Sequence, residues 1–223
     1  MGRIREVVKR TALALFPPIR RLKEERDALK ANLDVGPSAT GLVGIDEDNH
    51  RVIIRRNGKT RELMLDSQEA FREVSRHWLR IAWHCRYYGT FTWLGVPLFQ
   101  IPEDMVRLQD VIWRVRPDVI IETGVYLGGS LVFLASMCRL IGKGRVVGID
   151  MKLPPEIGMN IALLQDLITI HKGSSTDPAI IKKISESMCP DDRVMVILDA
   201  DHSKAHVAQE LDLYAGLVTE DSY

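Results

Sequence analysis

The feature that most constrains this chain is a rhythm that begins near Pro102. Short apolar segments (Val119–Glu122, Arg145–Asp150, Leu167–His171 and Val194–Leu198) alternate with stretches of helical periodicity over 104–115, 129–140, about 157–165, 177–188 and 203–215. Strands separated by helices pair in parallel, because a parallel connection needs a crossover of a dozen or more residues. The expected fold class is therefore α/β: a Rossmann-like sheet with helices on both faces.

The first hundred residues follow another pattern. Leu42–Ile45, Arg51–Arg55 and Arg61–Leu65 read as short strands joined by Asp48-Asn49 and Asn57-Gly58, the second a strong two-residue hairpin signal. Phe71, Val74, Trp78, Ile81 and Ala82 recur at helical spacing within 67–88, with Gly89 as the expected stop. Residues 3–16 read as a basic helix broken by Pro17-Pro18, and 19–33 as a second helix carrying Ile19, Leu22, Leu29 and Leu33 among charges. Gly36-Pro37-Ser38 is a linker. The expected organisation is a basic helical arm over 1–35, a small β meander over 36–66 and an α/β domain over 67–223. The arm suits a surface helix packed on the domain edge, pairing with a second copy in a homo-oligomer, or contact with a membrane surface.

Composition narrows the function classes. At 223 residues, with 46% apolar and 27% charged side chains, the chain can bury a core, which excludes whole-chain disorder and a disulfide mini-scaffold. Thirty Lys+Arg balance thirty Asp+Glu, which argues against a dedicated nucleic-acid binder. The balance hides a gradient: residues 1–23 hold seven basic side chains and one acid, and residues 199–223 six acids and one lysine. Cys85, Cys138 and Cys189 are far apart and odd in number, which fits reduced thiols in a cytoplasmic setting. No apolar run reaches the roughly 18 residues of a membrane span, no signal peptide is read, and Glu6 breaks a myristoylation pattern.

Four features at the strand ends carry the chemistry. Glu122-Thr-Gly124-Val-Tyr126-Leu-Gly128-Gly129-Ser130 leaves an apolar strand and opens a helix. Its glycines permit a tight turn and close ligand approach, and the helix start favours an anionic group. The loop lacks both the GxGxxG spacing and the P-loop lysine. Asp150 ends the next strand, 26 positions after Gly124, where a carboxylate holds a ribose diol in nucleoside binders. Gly173-Ser174-Ser175-Thr-Asp177 follows the third strand, with Asp177 as a candidate helix cap. Asp199-Ala-Asp201-His202 follows the fourth: its carboxylates suit Mg²⁺ and its imidazole suits proton transfer from a hydroxyl, or the cluster simply starts a helix.

These residues resemble a class I S-adenosylmethionine-dependent methyltransferase of the cephalosporin hydroxylase / rhamnosyl O-methyltransferase family. The resemblance covers roughly residues 90–223. It rests on Trp93-Leu-Gly95 with Gln100-Ile-Pro102, Pro117–Gly124, Gly128-Gly129-Ser130, Val147–Asp150, Gly173-Ser174-Ser175 and Leu198–Ser203. It implies S-adenosylmethionine as cofactor, held by Glu122, Gly124, Tyr126, Gly128 and Ser130 around the methionine portion. Asp150 would hold the ribose, and Ser174 or Ser175 would lie beside the adenine. It implies Asp199 as a magnesium ligand joined by Asp201, His202 with Asp199 as the catalytic pair, and Trp93 and Gln100 as pocket cover.

In that family a further strand follows and ends in an acidic pair that completes the metal site. This sequence stops at Asp221-Ser222-Tyr223, so the resemblance implies a sheet with its C-terminal strands missing. The function it implies is O-methylation of a small-molecule hydroxyl acceptor, a sugar or secondary metabolite. The alternative is a non-catalytic binding or assembly module with a vestigial cofactor pocket. An NAD enzyme fits the glycine spacing poorly, and hydroxylase chemistry lacks a two-histidine-one-carboxylate set.

Overall fold

The computed structural model of the chain describes residues 41–223. The two helices expected at 3–16 and 19–33, and with them the arm's association with a second copy or a membrane, lie outside the described residues. Contacts divide the chain into two compact units, residues up to Arg86 and Tyr87–Tyr223.

In the first unit three antiparallel strands, β1 (Gly41–Asp46), β2 (Arg51–Arg56) and β3 (Lys59–Met64), form a meander in the order β1-β2-β3. Asn57 and Gly58 both adopt positive φ, 52° and 72°, the type I′ geometry that matches strand twist. Helix α1 (Gln68–His84) starts on the Ser67 side chain, which accepts from Ala70 N. Its Ala70 and Val74 pack on Val52 and Ile54 of β2. That packing places the helix with the meander, so the division falls after Arg86 and not at the boundary drawn from sequence at 67. Gly89 does not end α1: the helix stops at His84, Arg86 turns left-handed at φ 52°, and Gly89 closes a 3₁₀ turn.

The second unit opens with a hairpin that the sequence reading missed, β4 (Phe91–Trp93) and β5 (Val96–Leu98). Its turn is Leu94-Gly95, both at positive φ, and a leucine there carries none of the usual turn signal. Helix α2 (Pro102–Val115) follows, with proline in its first turn where no N–H is needed. Then come β6 (Val119–Thr123), α3 (Gly129–Ile141), β7 (Arg145–Asp150), the short α4 (Ile157–Ile161), β8 (Ile168–Lys172), α5 (Pro178–Glu186), β9 (Val194–Leu198) and α6 (Lys204–Tyr214). The four strands pair in parallel in the order β8-β7-β6-β9.

Alternation along β6 decides which helix covers which face. Ile120 packs with Leu131, Leu134 and Cys138 of α3 and Ile112 of α2. Val119 and Ile121 pack with Ile184 of α5 and Tyr214 of α6 on the other side. The strand is buried along its whole length, which is why it reads as an unbroken apolar run. The expected Rossmann-like α/β architecture is thus the observed one. The chain moves outward from β6 to β8 and returns to place β9 on the other flank of β6. Such a switch point leaves a crevice at the carboxyl ends of β6 and β9, where open α/β sheets bind ligands. Among the described residues no helix is long and apolar enough to cross a membrane.

Candidate active site

The loop leaving β6 is shaped by close approach. Gly124 sits at φ 85°, and a methyl there would overlap the backbone of Asp199, which leaves β9. Two bonds tie these exits: Asp199 N–H donates to the Thr123 carbonyl at 2.9 Å and lies 3.2 Å from Thr123 Oγ1. Gly128 is left-handed at φ 85° and starts α3. A side chain on Gly129 would strike the Pro97 carbonyl, so this glycine lets the β4–β5 hairpin cross the start of α3.

A cavity of about 180 Å³ opens at the switch point, lined by Gln100, Asp104, Met105, Leu108, Glu122, Ser130, Ile197, Leu198 and Asp199. Glu122 is 2% exposed and accepts from Ser130 Oγ at 2.8 Å. Burial pushes its carboxyl up to about 8 against the Ser130 bond, and the charge of Asp199 adds to the rise. A buried carboxyl held by one hydroxyl, on the wall of a cavity, is suited to receive a cation from a ligand. Asp199 is raised by burial too, opposed by His202 and by Gln100, whose Nε2 donates to Asp199 Oδ2 at 2.9 Å.

Asp150 does something different. Its Oδ2 accepts from Val125 N at 2.8 Å and Tyr126 N at 3.0 Å, and its Oδ1 accepts from Lys152 N at 2.8 Å. The carboxylate thereby folds the glycine loop back onto the end of β7, with Oδ1 left able to take a further donor. Tyr126 is held at φ 47° with 59% of its surface exposed, and its ring meets Phe99 edge-on at 4.7 Å. Asn160 of α4 fixes the same loop by donating to the Leu127 carbonyl at 2.8 Å.

The structure therefore brings Glu122, Ser130 and Asp199 to one cavity. Asp150, Gly124, Gly128 and Tyr126 form the adjoining loop. Ser174 turns on its own loop, with Oγ 2.9 Å from Thr176 Oγ1. Ser175 is not brought to the cavity: it is buried, its Oγ 3.0 Å from His206 Nε2. Its hydroxyl and carbonyl are held by His206 and Tyr214 of α6, while Asp177 caps α5 by accepting from Ala179 N. Trp93 packs edge-on against Phe133 at 4.9 Å and donates to Ser136, so it belongs to the core.

His202 is 73% exposed, with Nε2 3.6 Å from Asp199 Oδ1. Asp201 is exposed and accepts from Ser203 N at 2.8 Å, which holds it below the usual carboxylate range. Among the described residues no three His, Cys, Asp or Glu side chains converge as a metal site. Of the expected magnesium pair, Asp199 lines the cavity, while Asp201 is exposed and accepts from Ser203 N at the start of α6.

Sequence reasoning flagged Gln100 only through resemblance and missed Asp104, Met105 and Leu108. Their periodicity marks a helix, but nothing local says that α2 passes over the carboxyl ends of β6 and β9.

The family model described as Rhamnosyl O-methyltransferase/CmcI matches residues 85–223. The chain belongs to this family. Family relatives include a rhamnosyl O-methyltransferase of Mycobacterium bovis (strain BCG / Pasteur 1173P2), 31% identical over 152 residues, covering 63% of this chain and 60% of that protein. Another, of Mycobacterium leprae (strain TN), is 31% identical over 149 residues and covers 63% of each chain. The chain spans about three fifths of the length of the curated relatives it matches. An apo structure of CmcI is 26% identical over 55% of this chain and 51% of its own, with a TM-score of 0.43.

Proposed function

We propose that this chain binds S-adenosylmethionine at the β6–β9 crevice and methylates a hydroxyl of a small sugar or secondary metabolite. The observation that carries this reading is the buried Glu122–Ser130 pair beside Asp199 at the switch point, in a member of an O-methyltransferase family. When bound, the cofactor supplies an electrophilic methyl on a sulfonium.

The residues divide the remaining work. Glu122, protonated while the buried site is vacant of positive charge, ionises to hold the cofactor's ammonium, with Ser130 orienting it. Gly124 and Gly128 let the backbone approach the methionine portion, with Tyr126 beside it. Asp150 fixes the loop and turns its remaining acceptor capacity to the ribose. Ser174 lies toward the adenine. The transfer asks for alignment of acceptor oxygen and methyl, which the crevice walls supply. His202 takes the hydroxyl proton, and the Asp199 carboxylate stabilises the resulting imidazolium.

Residues 67–223 of the earlier division would contain this activity, with the cofactor site wholly inside 87–223. A cytoplasmic setting fits the three free cysteines.

Titration calorimetry of the chain with S-adenosylmethionine, with and without Mg²⁺ and against NAD, tests the proposal. Micromolar binding that Ser130→Ala and Asp150→Ala both weaken, followed by methyl transfer to a sugar or phenol, supports it. Binding without any transfer across an acceptor panel favours a non-catalytic binding module. No binding by a folded sample overturns both.

A further inference from the structure

The face of α6 that packs on the sheet carries His206, Glu210 and Tyr214, one turn apart each. Glu210 is 0% exposed, and neither of its oxygens accepts a hydrogen bond from the described residues. Buried carboxylates are rarely left so. His206 Nε2 lies 3.3 Å from Glu210 Oε1. The same nitrogen lies 3.0 Å from Ser175 Oγ, and Tyr214 OH donates to the Ser175 carbonyl at 2.8 Å. The hydroxyl and the carbonyl of Ser175 are therefore held by one helix. At its other end α6 starts from Ser203, directly after Asp199–His202, and Ser203 Oγ accepts from His206 N at 3.4 Å.

The state of His206 follows from electrostatics. A bare lone pair on Nε2 would face the Glu210 carboxylate in a site shielded from water, two acceptors opposed at close range. A proton on Nε2 removes that conflict, and the N–H then donates to Ser175 Oγ. The Glu210 oxygen 3.3 Å from Nε2 thus favours the tautomer that carries hydrogen on that nitrogen.

We propose that Glu210 and His206 are positioning residues: Glu210 holds hydrogen on His206 Nε2, His206 clasps Ser175, and α6 thereby fixes loop 173–177 against segment 199–203. The two loops hold Ser174 and the Asp199–His202 pair, the adenine side and the acceptor side of the proposed site. The consequence for affinity rests on the cofactor reading. The clasp itself does not.

Nitrogen-15 NMR of the histidine rings in the ligand-free chain reads the clasp directly. The expected result is a protonated, slowly exchanging His206 Nε2 that becomes a mixture of tautomers in Glu210→Gln. A bare Nε2 in the unmodified chain overturns the proposal. Hydrogen exchange and S-adenosylmethionine titration of His206→Ala and His206→Gln read the consequence. The alanine variant should expose the amides of 174–176 to faster exchange and weaken binding about tenfold. Glutamine, with an N–H to offer, should restore much of both. Unchanged exchange in both variants also overturns the clasp. If the unmodified chain binds no cofactor, the cofactor reading fails while the ring nitrogen and the exchange rates still decide the clasp.

Discussion

The two loops that flank the crevice are built in opposite ways. The loop after β6 is glycine-rich and tied at every turn: Gly124 N–H to Ile149, Val125 and Tyr126 N–H to Asp150, and the Leu127 carbonyl to Asn160. The segment after β9 carries charged side chains in the open: Asp201 and His202 are exposed, and the half-buried Asp199 carboxylate accepts from Gln100 with His202 nearby. The proposed site, which would bind on one wall and move a proton on the other, would use this inequality. The loop after β6 is preorganised and would cost little further ordering on binding. The segment after β9 would offer the exposed His202 imidazole to an acceptor.

Substitutions can break this comparison, and the largest effect should come from Gly124→Ala. The residue is left-handed, and the added methyl overlaps the Asp199 backbone, so both walls must shift together. Denaturant unfolding should show a loss of about 3 kcal/mol or more, with cofactor binding abolished. A loss below about 1 kcal/mol would mean that the two exits are not rigidly joined.

Next comes Asp150→Ala, which leaves three backbone N–H groups without their acceptor. The expected cost is about 2 kcal/mol of stability and at least about tenfold in cofactor affinity. Asp150→Asn should recover part of the stability, because its carbonyl oxygen still accepts.

Glu122→Gln sharpens the comparison through pH. The folded carboxyl is raised from an ordinary 4.5 to about 8, so between those values the native chain keeps a proton that the unfolded chain has lost. Stability of the ligand-free chain should fall as pH rises through this window, on the order of 1 kcal/mol per unit at most, and be fully present below 4.5. The glutamine variant should lose that slope. A parallel pH profile for the two chains would show that Glu122 is already ionised.

The smallest effect on stability belongs to His202→Ala, within about 0.5 kcal/mol, because the ring is exposed. Methyl transfer should nonetheless fall by about a hundredfold or more. Equal losses of stability and activity would remove the distinction between the two walls.

How much of this was legible in the sequence differs by element. β7 and β9 were legible to the residue, and β6 to within one, because strands buried on both faces leave apolar runs bounded by polar turns. The meander was legible from Asn57-Gly58 because the turn chemistry is local. The β4–β5 hairpin was not, because Leu94 adopts a left-handed backbone that its residue type disfavours, so the turn carries no local signal. At the site, Glu122 and Asp199 could be placed from the strand ends and Ser130 from the glycine turn that opens α3. For Asp201 and Ser175 the sequence leaves the role open, because a polar side chain beside a helix start serves a ligand or the backbone, and residue type does not distinguish the two.

The sequence by itself determined the alternation of strand and helix, and with it the parallel sheet, the edge at which ligands bind and the residue types gathered there. Those are properties of local periodicity and of chain order. Only the tertiary structure decided that Gln100 reaches Asp199, that α2 walls the cavity, and that His206 lies between Ser175 and a buried Glu210. Each of these joins residues 31 to 99 positions apart or depends on how a helix is rotated against the sheet. Such contacts are set by packing of whole elements, which no local stretch of sequence encodes.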